Sequence, residues 1–361
     1  MNIINLKKIF IQISFSYSLL FSNGPFSIET ITQEDGLRDG PDYSEAIVYY
    51  PMEAPIPLPV VVLVPGFTNS ISDIETWGNY LASYGFVTLL VNVNLIWEPP
   101  AYRAAALLDG ILTMRLEDER LDSPLFGKLN IEDFTVGGYS MGGGGAQLAA
   151  QQDSSIKAVI SLSSWLENPS VTLNNSTSIL FISGEFDNVA TNNYHTNVFY
   201  NNTPETTDKL LYEISGGDHY TVVSPYYDQE MGLKTIFWLE KYILNDLSNC
   251  DSLIIQPPTA SDFSTNIECT YNNAGDITQD GSINFLDLLL LISLVINGNI
   301  PSDLEISIAD INNDGVLDIF DIVLMVNTVI GNQYSEVSDI NEDGILNILD
   351  IMILLNIILN Q

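Results

Sequence analysis

Phe134-Thr135-Val136-Gly137-Gly138-Tyr139-Ser140-Met141-Gly142-Gly143-Gly144-Gly145 runs from a short apolar, β-rich segment into a glycine-rich helical one. The pattern G-x-S-x-G sits at the junction, from Gly138 to Gly142. A sharp strand-to-helix turn leaves no room for side chains at either glycine. It also lifts the serine hydroxyl clear of the sheet, at a helix N-terminus where developing negative charge is favoured. G-x-S-x-G alone is common; the strand before it and the helix after it give it chemical meaning.

Outward from this turn the chain alternates short β-rich runs with helical stretches. Val60 to Val64, Phe86 to Val93, Phe134 to Gly137, Ala158 to Leu162, Ile179 to Ser183 and Leu210 to Ile214 are strand candidates. Helical patterns such as Tyr102 to Glu119 and Gly143 to Gln151 lie between them, and a last helix ends near Leu247. Apolar strands joined by crossover helices imply an α/β fold with a mostly parallel sheet covered on both faces. With the serine turn, this points to the α/β-hydrolase class.

An attacking serine needs a histidine base, and the chain has two. His195 lies in a polar, Asn-rich stretch, whereas His219 follows a strand candidate and Ser215-Gly216-Gly217-Asp218. The order serine, acid, histidine of this fold class selects His219. The acid belongs on the loop after Ile179 to Ser183. Asp187 fits best, Glu185 is the reserve, and Asp218 is disfavoured because a neighbour of the histidine seldom reaches its far nitrogen. Attack is thereby assigned to Ser140, proton transfer to His219 and tautomer control to Asp187. An oxyanion hole needs two backbone N–H groups. Met141 supplies one, and Phe67, in the Pro65-Gly66-Phe67-Thr68 loop after Val60 to Val64, supplies the other.

Composition narrows the setting. The 361 residues carry 46 acids against 11 Lys and Arg, a formal charge of −35, with 46% hydrophobic residues. That is ample material for a core and excludes wholesale disorder. A charge this negative repels nucleic acid and anionic membrane surfaces but suits calcium. Lys241 is the last basic residue, and 18 acids lie beyond it. Lys7 and Lys8 precede an apolar run, Ile9 to Phe21, and then Ser22-Asn23-Gly24. Residues 1–24 therefore read as a secretory signal cleaved near Gly24, with cleavage after Ser18 the alternative, the run being shorter than the ~20 residues of a spanning helix. The mature protein is expected outside the cell with no membrane span. In an exported chain the closely spaced Cys250 and Cys269 read as a disulfide.

The region Val60 to Cys269 resembles the bacterial cutinase and polyester-hydrolase family, which includes PET-degrading enzymes. The resemblance is carried by Pro65-Gly66-Phe67-Thr68, Trp77-Gly78, Leu81-Ala82-Ser83-Tyr84-Gly85-Phe86-Val87, Tyr139 to Gly145, Trp165, Asp187 and Gly216-Gly217-Asp218-His219. It implies that Phe67, Met141 and Trp165 form an apolar shelf for the acyl group. Tyr139 takes the place beside the nucleophile where relatives carry His or Trp, and is expected at the substrate. His195 and Phe199 match positions packing behind the shelf tryptophan. Cys250 and Cys269 match the family's C-terminal disulfide, which moves the domain boundary from Pro257-Pro258 to about Tyr271.

The tail carries 14 acids and no base from Tyr271 onward. Three repeats account for most of them. Asp276, Thr278, Asp280, Ser282, Asn284 and Asp287 form the first; Asp310, Asn312, Asp314, Val316, Asp318 and Asp321 the second; Asp339, Asn341, Asp343, Ile345, Asn347 and Asp350 the third. Oxygen ligands at loop positions 1, 3, 5, 9 and 12, a backbone carbonyl at 7 and glycine at 6 describe calcium loops. Asp at position 12, followed at once by a Leu- and Ile-rich helix, resembles the dockerin type I repeat. That resemblance implies a small all-α domain over residues 272–361, structural calcium, and a cohesin or cell-surface partner. The combined expectation is a secreted serine esterase, residues 25–271, acting on polyesters without a catalytic cofactor. Its rivals are an acetyl or feruloyl esterase of plant polysaccharide, a lipase, and a non-catalytic calcium-dependent adhesion protein.

Overall fold

The computed structural model describes residues 24–170, 177–269, 274–278, 282–297, 308–312, 315–332 and 353. The expected leader up to residue 23, Asp280, Asp314 and the whole third calcium loop lie outside the described residues.

Nine strands form one sheet: β1 Ile28–Thr32, β2 Tyr43–Pro51, β3 Leu58–Val64, β4 Val87–Val93, β5 Leu129–Tyr139, β6 Ile156–Leu162, β7 Ser178–Gly184, β8 Lys209–Ile214 and β9 Ala260–Thr265. Their order is β1-β2-β4-β3-β5-β6-β7-β8-β9. The six strands from β4 to β8 run parallel, and β1, β2 and β9 add antiparallel edges. The alternation of side chains along each strand divides the interior in two. Val60, Val62 and Val64 face one layer with Ala104, Leu107 and Ile111 of α2 (Pro100–Glu119) and Ala146 of α3 (Met141–Ala150). Val61 and Leu63 face the other with Trp77 and Leu81 of α1 (Ile71–Ser83). All seven β3 residues are consequently buried, which is why this strand reads as a continuous apolar run.

Helix starts follow local chemistry. The Asp73 carboxylate accepts the Ser70 N–H at 2.7 Å ahead of α1, and α2 opens on Pro100, whose missing N–H costs nothing there. After α4 (Thr196–Asn202) comes α5 (Gln229–Leu239), capped by Asp228, which accepts the Met231 N–H. It continues as a π-helical turn, Glu240–Leu244.

Three strands, β1, β2 and β9, and the helices α1, α4 and a short α6 (Cys250–Ile254) are not placed by the sequence. β1 and β9 are the edge strands and β2 lies between β1 and β4, all antiparallel to their neighbours; β9, partly buried with Ser261 and Asp262 exposed, produces no apolar run. Helix α6 and β9 occupy the Pro- and Ser-rich stretch first read as a boundary. Cys250 and Cys269 are bonded, closing a separation of 19 residues around both elements. In the tail, α7 (Phe285–Asn297) and α8 (Ile319–Asn332) share a small core of Leu288, Leu291, Ile292, Ile322, Met325 and Val326. No helix among the described residues is long and apolar enough to cross a membrane.

Candidate active site

Ser140 stands between the end of β5 and the start of α3, with φ 55° and ψ −118°. This backbone is strained for a side-chain-bearing residue. Neighbouring backbone holds it: the Ser140 N–H donates to Leu162 O at 2.8 Å, and Ser140 O accepts from Trp165 N at 2.9 Å. A Cβ on Gly142 would lie 2.2 Å from Val64 O, and one on Gly138 2.5 Å from Gly142 C. Glycine at both positions is thus a packing requirement of the turn.

His219 follows β8 and reaches back over the sheet. Its Nε2 is 3.1 Å from Ser140 Oγ, and its Nδ1 is 2.7 Å from Asp187 Oδ2. The other Asp187 oxygen accepts the N–H groups of Val189 and Ala190 at 2.9 and 2.8 Å. All three side chains are buried, at 6%, 4% and 5% exposure for Ser140, His219 and Asp187. Burial pushes the Asp187 carboxyl up, but the His219 contact and the two N–H donors outweigh it and hold the group below its ordinary value. An ionised carboxylate here favours the imidazole tautomer with its proton on Nδ1, leaving Nε2 free to accept from Ser140.

The other two acids have different work. Glu185 Oε2 accepts the Gly216 N–H at 2.8 Å and the Ser215 hydroxyl at 3.2 Å, shaping the turn that delivers His219. Asp218 Oδ1 accepts the Tyr220 N–H at 2.9 Å, locally.

Phe67 is 47% exposed, and Trp165 is half-buried. Among the described residues the Phe67 and Met141 N–H groups donate to no acceptor. Tyr139 differs from expectation. It is 1% exposed, its ring centroid 5.0 Å from that of His219, and a Cβ on Gly66 would sit 3.1 Å from its Cδ1. It ends a central strand with its ring on the core side, so it supports His219 from within rather than facing substrate. Burial pushes its phenol pKa up.

His195 is 3% exposed, packed beside Trp165 at 6.0 Å and Phe199 at 6.1 Å. Its nitrogens face the Leu166 and Thr191 carbonyls without hydrogen-bond geometry, and burial pushes its pKa down. It is a packing residue between Trp165 and Phe199.

In the tail, Asp276, Asp287, Asp310 and Asp321 are buried. Asp287 accepts the N–H groups of Thr278 and Asn284, and Asp321 those of Ile311, Asn312 and Asp318. Among the described residues no group of three His, Cys, Asp or Glu converges as a metal site. Buried carboxylates in loops without a basic residue nevertheless suit a hard, oxygen-preferring cation.

A serine at a strained strand-to-helix turn, with a histidine and a buried carboxylate in line, on a mostly parallel sheet, defines a serine carboxylic-ester hydrolase of the α/β-hydrolase fold. Comparison with known proteins agrees. Residues 15–272 match the family model described as PET hydrolase-like, and residues 274–330 match the dockerin type I domain. Cutinase est2 of Thermobifida alba is 30% identical over 241 residues, covering 66% of this chain and 76% of that protein. Cutinase cut1 of Thermobifida fusca and Lipase 1 of a Moraxella species are each 29% identical over 229 residues, 62% of this chain and 67% of theirs. The chain belongs to the PET hydrolase-like family.

Proposed function

We propose that this protein hydrolyses polyesters at Ser140 and carries a calcium-folded dockerin-like tail. The observation that supports it most is the Ser140–His219–Asp187 chain of contacts. Ser140 Oγ attacks the ester carbonyl while His219 Nε2 takes its proton, and Asp187 stabilises the resulting imidazolium. The N–H groups of Met141 and Phe67 receive the oxyanion. His219 returns the proton to the departing alcohol, leaving an acyl group on Ser140. Water then gives a proton to His219, its oxygen attacks the acyl carbon, and the acid leaves as Ser140 recovers its proton. Phe67, Met141 and Trp165 hold the acyl group, with Tyr139 supporting His219 from below. Ser140→Ala should abolish turnover of both a short p-nitrophenyl ester and a polyester film; residual hydrolysis by the variant would refute the assignment.

The tail favours a second reading, an esterase trimming acetyl or feruloyl groups from polysaccharide, because dockerin-type modules suit an assembly on such material. A panel of polyester film, triglyceride and acetylated glycan separates these by which product accumulates. In either case the catalytic part spans 25–271 and follows a cleaved leader. Residues 272–361 would hold calcium through Asp276, Thr278, Asp280, Ser282, Asn284 and Asp287 and their counterparts in the other loops. They would dock to a cohesin or the cell surface. Calcium there supplies folding energy and takes no part in ester chemistry.

A further inference from the structure

Arg103, in the first turn of α2, is fully buried, at 0% exposure. In a chain with 46 acids it forms no ion pair among the described residues, although the charge of Glu98 acts on it. Among the described residues its Nε and Nη1 have no hydrogen-bond partner. Burial pushes its guanidinium pKa down to about 10. A buried cation without a carboxylate is expensive, and a chain rich in acids could readily have paired it.

One donor of this guanidinium is used. Arg103 Nη2 donates to Ile96 O at 3.0 Å. The same carbonyl accepts the Thr68 N–H at 2.8 Å. Ile96 lies in a turn closed by the Glu98 N–H on Leu95 O at 2.9 Å, with its own side chain 40% exposed, so its carbonyl is directed inward while its side chain faces out. Thr68 has φ 59°, a left-handed conformation poorly suited to a β-branched residue. Such a backbone persists only where its surroundings over-determine it. Thr68 directly follows Phe67, the proposed second donor of the oxyanion hole.

We propose that Arg103 is a positioning residue for that hole: through the Ile96 carbonyl it holds Thr68 in its left-handed conformation and thereby aims the Phe67 N–H. The inference rests on the esterase reading above. That reading has its own test in the parent enzyme and Ser140→Ala, so an inactive parent would remove it independently of Arg103.

Arg103→Met separates positioning from mere support of the fold. Methionine fills similar space without a buried charge, so the melting temperature should hold or rise. Turnover of a short p-nitrophenyl ester should nonetheless fall, with kcat down about tenfold and KM within about twofold, because the oxyanion hole acts on the transition state. Adding Thr68→Gly, which makes the left-handed backbone intrinsically accessible, should recover about threefold of the lost kcat. Parental kcat in Arg103→Met overturns the proposal. So does a lowered melting temperature with a kcat loss that Thr68→Gly does not recover, since that is the signature of a structural arginine alone. Should Arg103→Met fail to fold, Arg103→Lys carries the same comparison: it keeps the charge but loses the planar fork. A kcat reduced about threefold or more, with KM held, supports the proposal, and a parental kcat overturns it.

Discussion

Asp187 binds His219 with one carboxylate oxygen, at 2.7 Å, and the backbone N–H groups of Val189 and Ala190 with the other. The aspartate is therefore fixed by its own loop before it orients the imidazole. Asp187→Asn keeps the size of the side chain but presents an amide that favours the wrong tautomer. Its kcat for a soluble ester should fall by about 10⁴, with a much smaller change in KM.

The same contact makes stability depend on acid. Because the folded state holds the Asp187 carboxyl below its ordinary value, its contribution is full above the ordinary carboxylate pKa of about 3.9. It is lost as pH falls through the depressed folded value. The difference in urea midpoint between the parent and Asp187→Asn should accordingly shrink from about pH 7 to about pH 3. A difference that stays constant would show that this carboxylate adds no pH-dependent stability.

Cys250 and Cys269 close 19 residues that contain α6 and β9. Lys234 of α5 is buried beneath that segment and donates to the carbonyls of Ser252, Leu253 and Ile255. The chain entropy of the loop makes the bond worth about 3 kcal/mol. The double variant Cys250→Ser with Cys269→Ser should lose about that much in denaturant unfolding. Its soluble-ester kcat should be unchanged, since the segment lies beyond β8 and away from Ser140.

Calcium should act on the tail and not on catalysis. In the full chain, millimolar calcium should raise the tail's melting temperature relative to chelator, a hundredfold excess over Kd stabilising it by about 2.7 kcal/mol. Soluble-ester turnover should not move. Asp287→Asn with Asp321→Asn should weaken the response, because these position-12 carboxylates are fully buried in the first two loops.

What the chain declares by itself is what depends on local spacing. The serine turn is written in Gly138 to Gly142, because a strand-to-helix junction this tight admits only hydrogen at its flanks. The central strands are legible because burial on both faces demands unbroken apolar runs, as in Leu58–Val64. The dockerin-like repeats of the tail are legible because their Asp, Asn and Gly spacing lies within single short segments.

Tertiary structure decided what depends on residues distant in sequence meeting in space. Chain order ranks Asp187 ahead of Glu185 and Asp218 as the acid, but only the return of the chain after β8 brings Asp187 to His219 and turns the other two to shaping its loop. Tyr139 adjoins the nucleophile in sequence, yet strand alternation turns its ring into the core while Ser140 turns toward the site. The strand β9 exists because β8 offers it an edge, not because its residues favour one. The carbonyl of Ile96, joining Thr68 to Arg103, leaves no trace in residue identity, since every residue has a carbonyl and only the fold directs it.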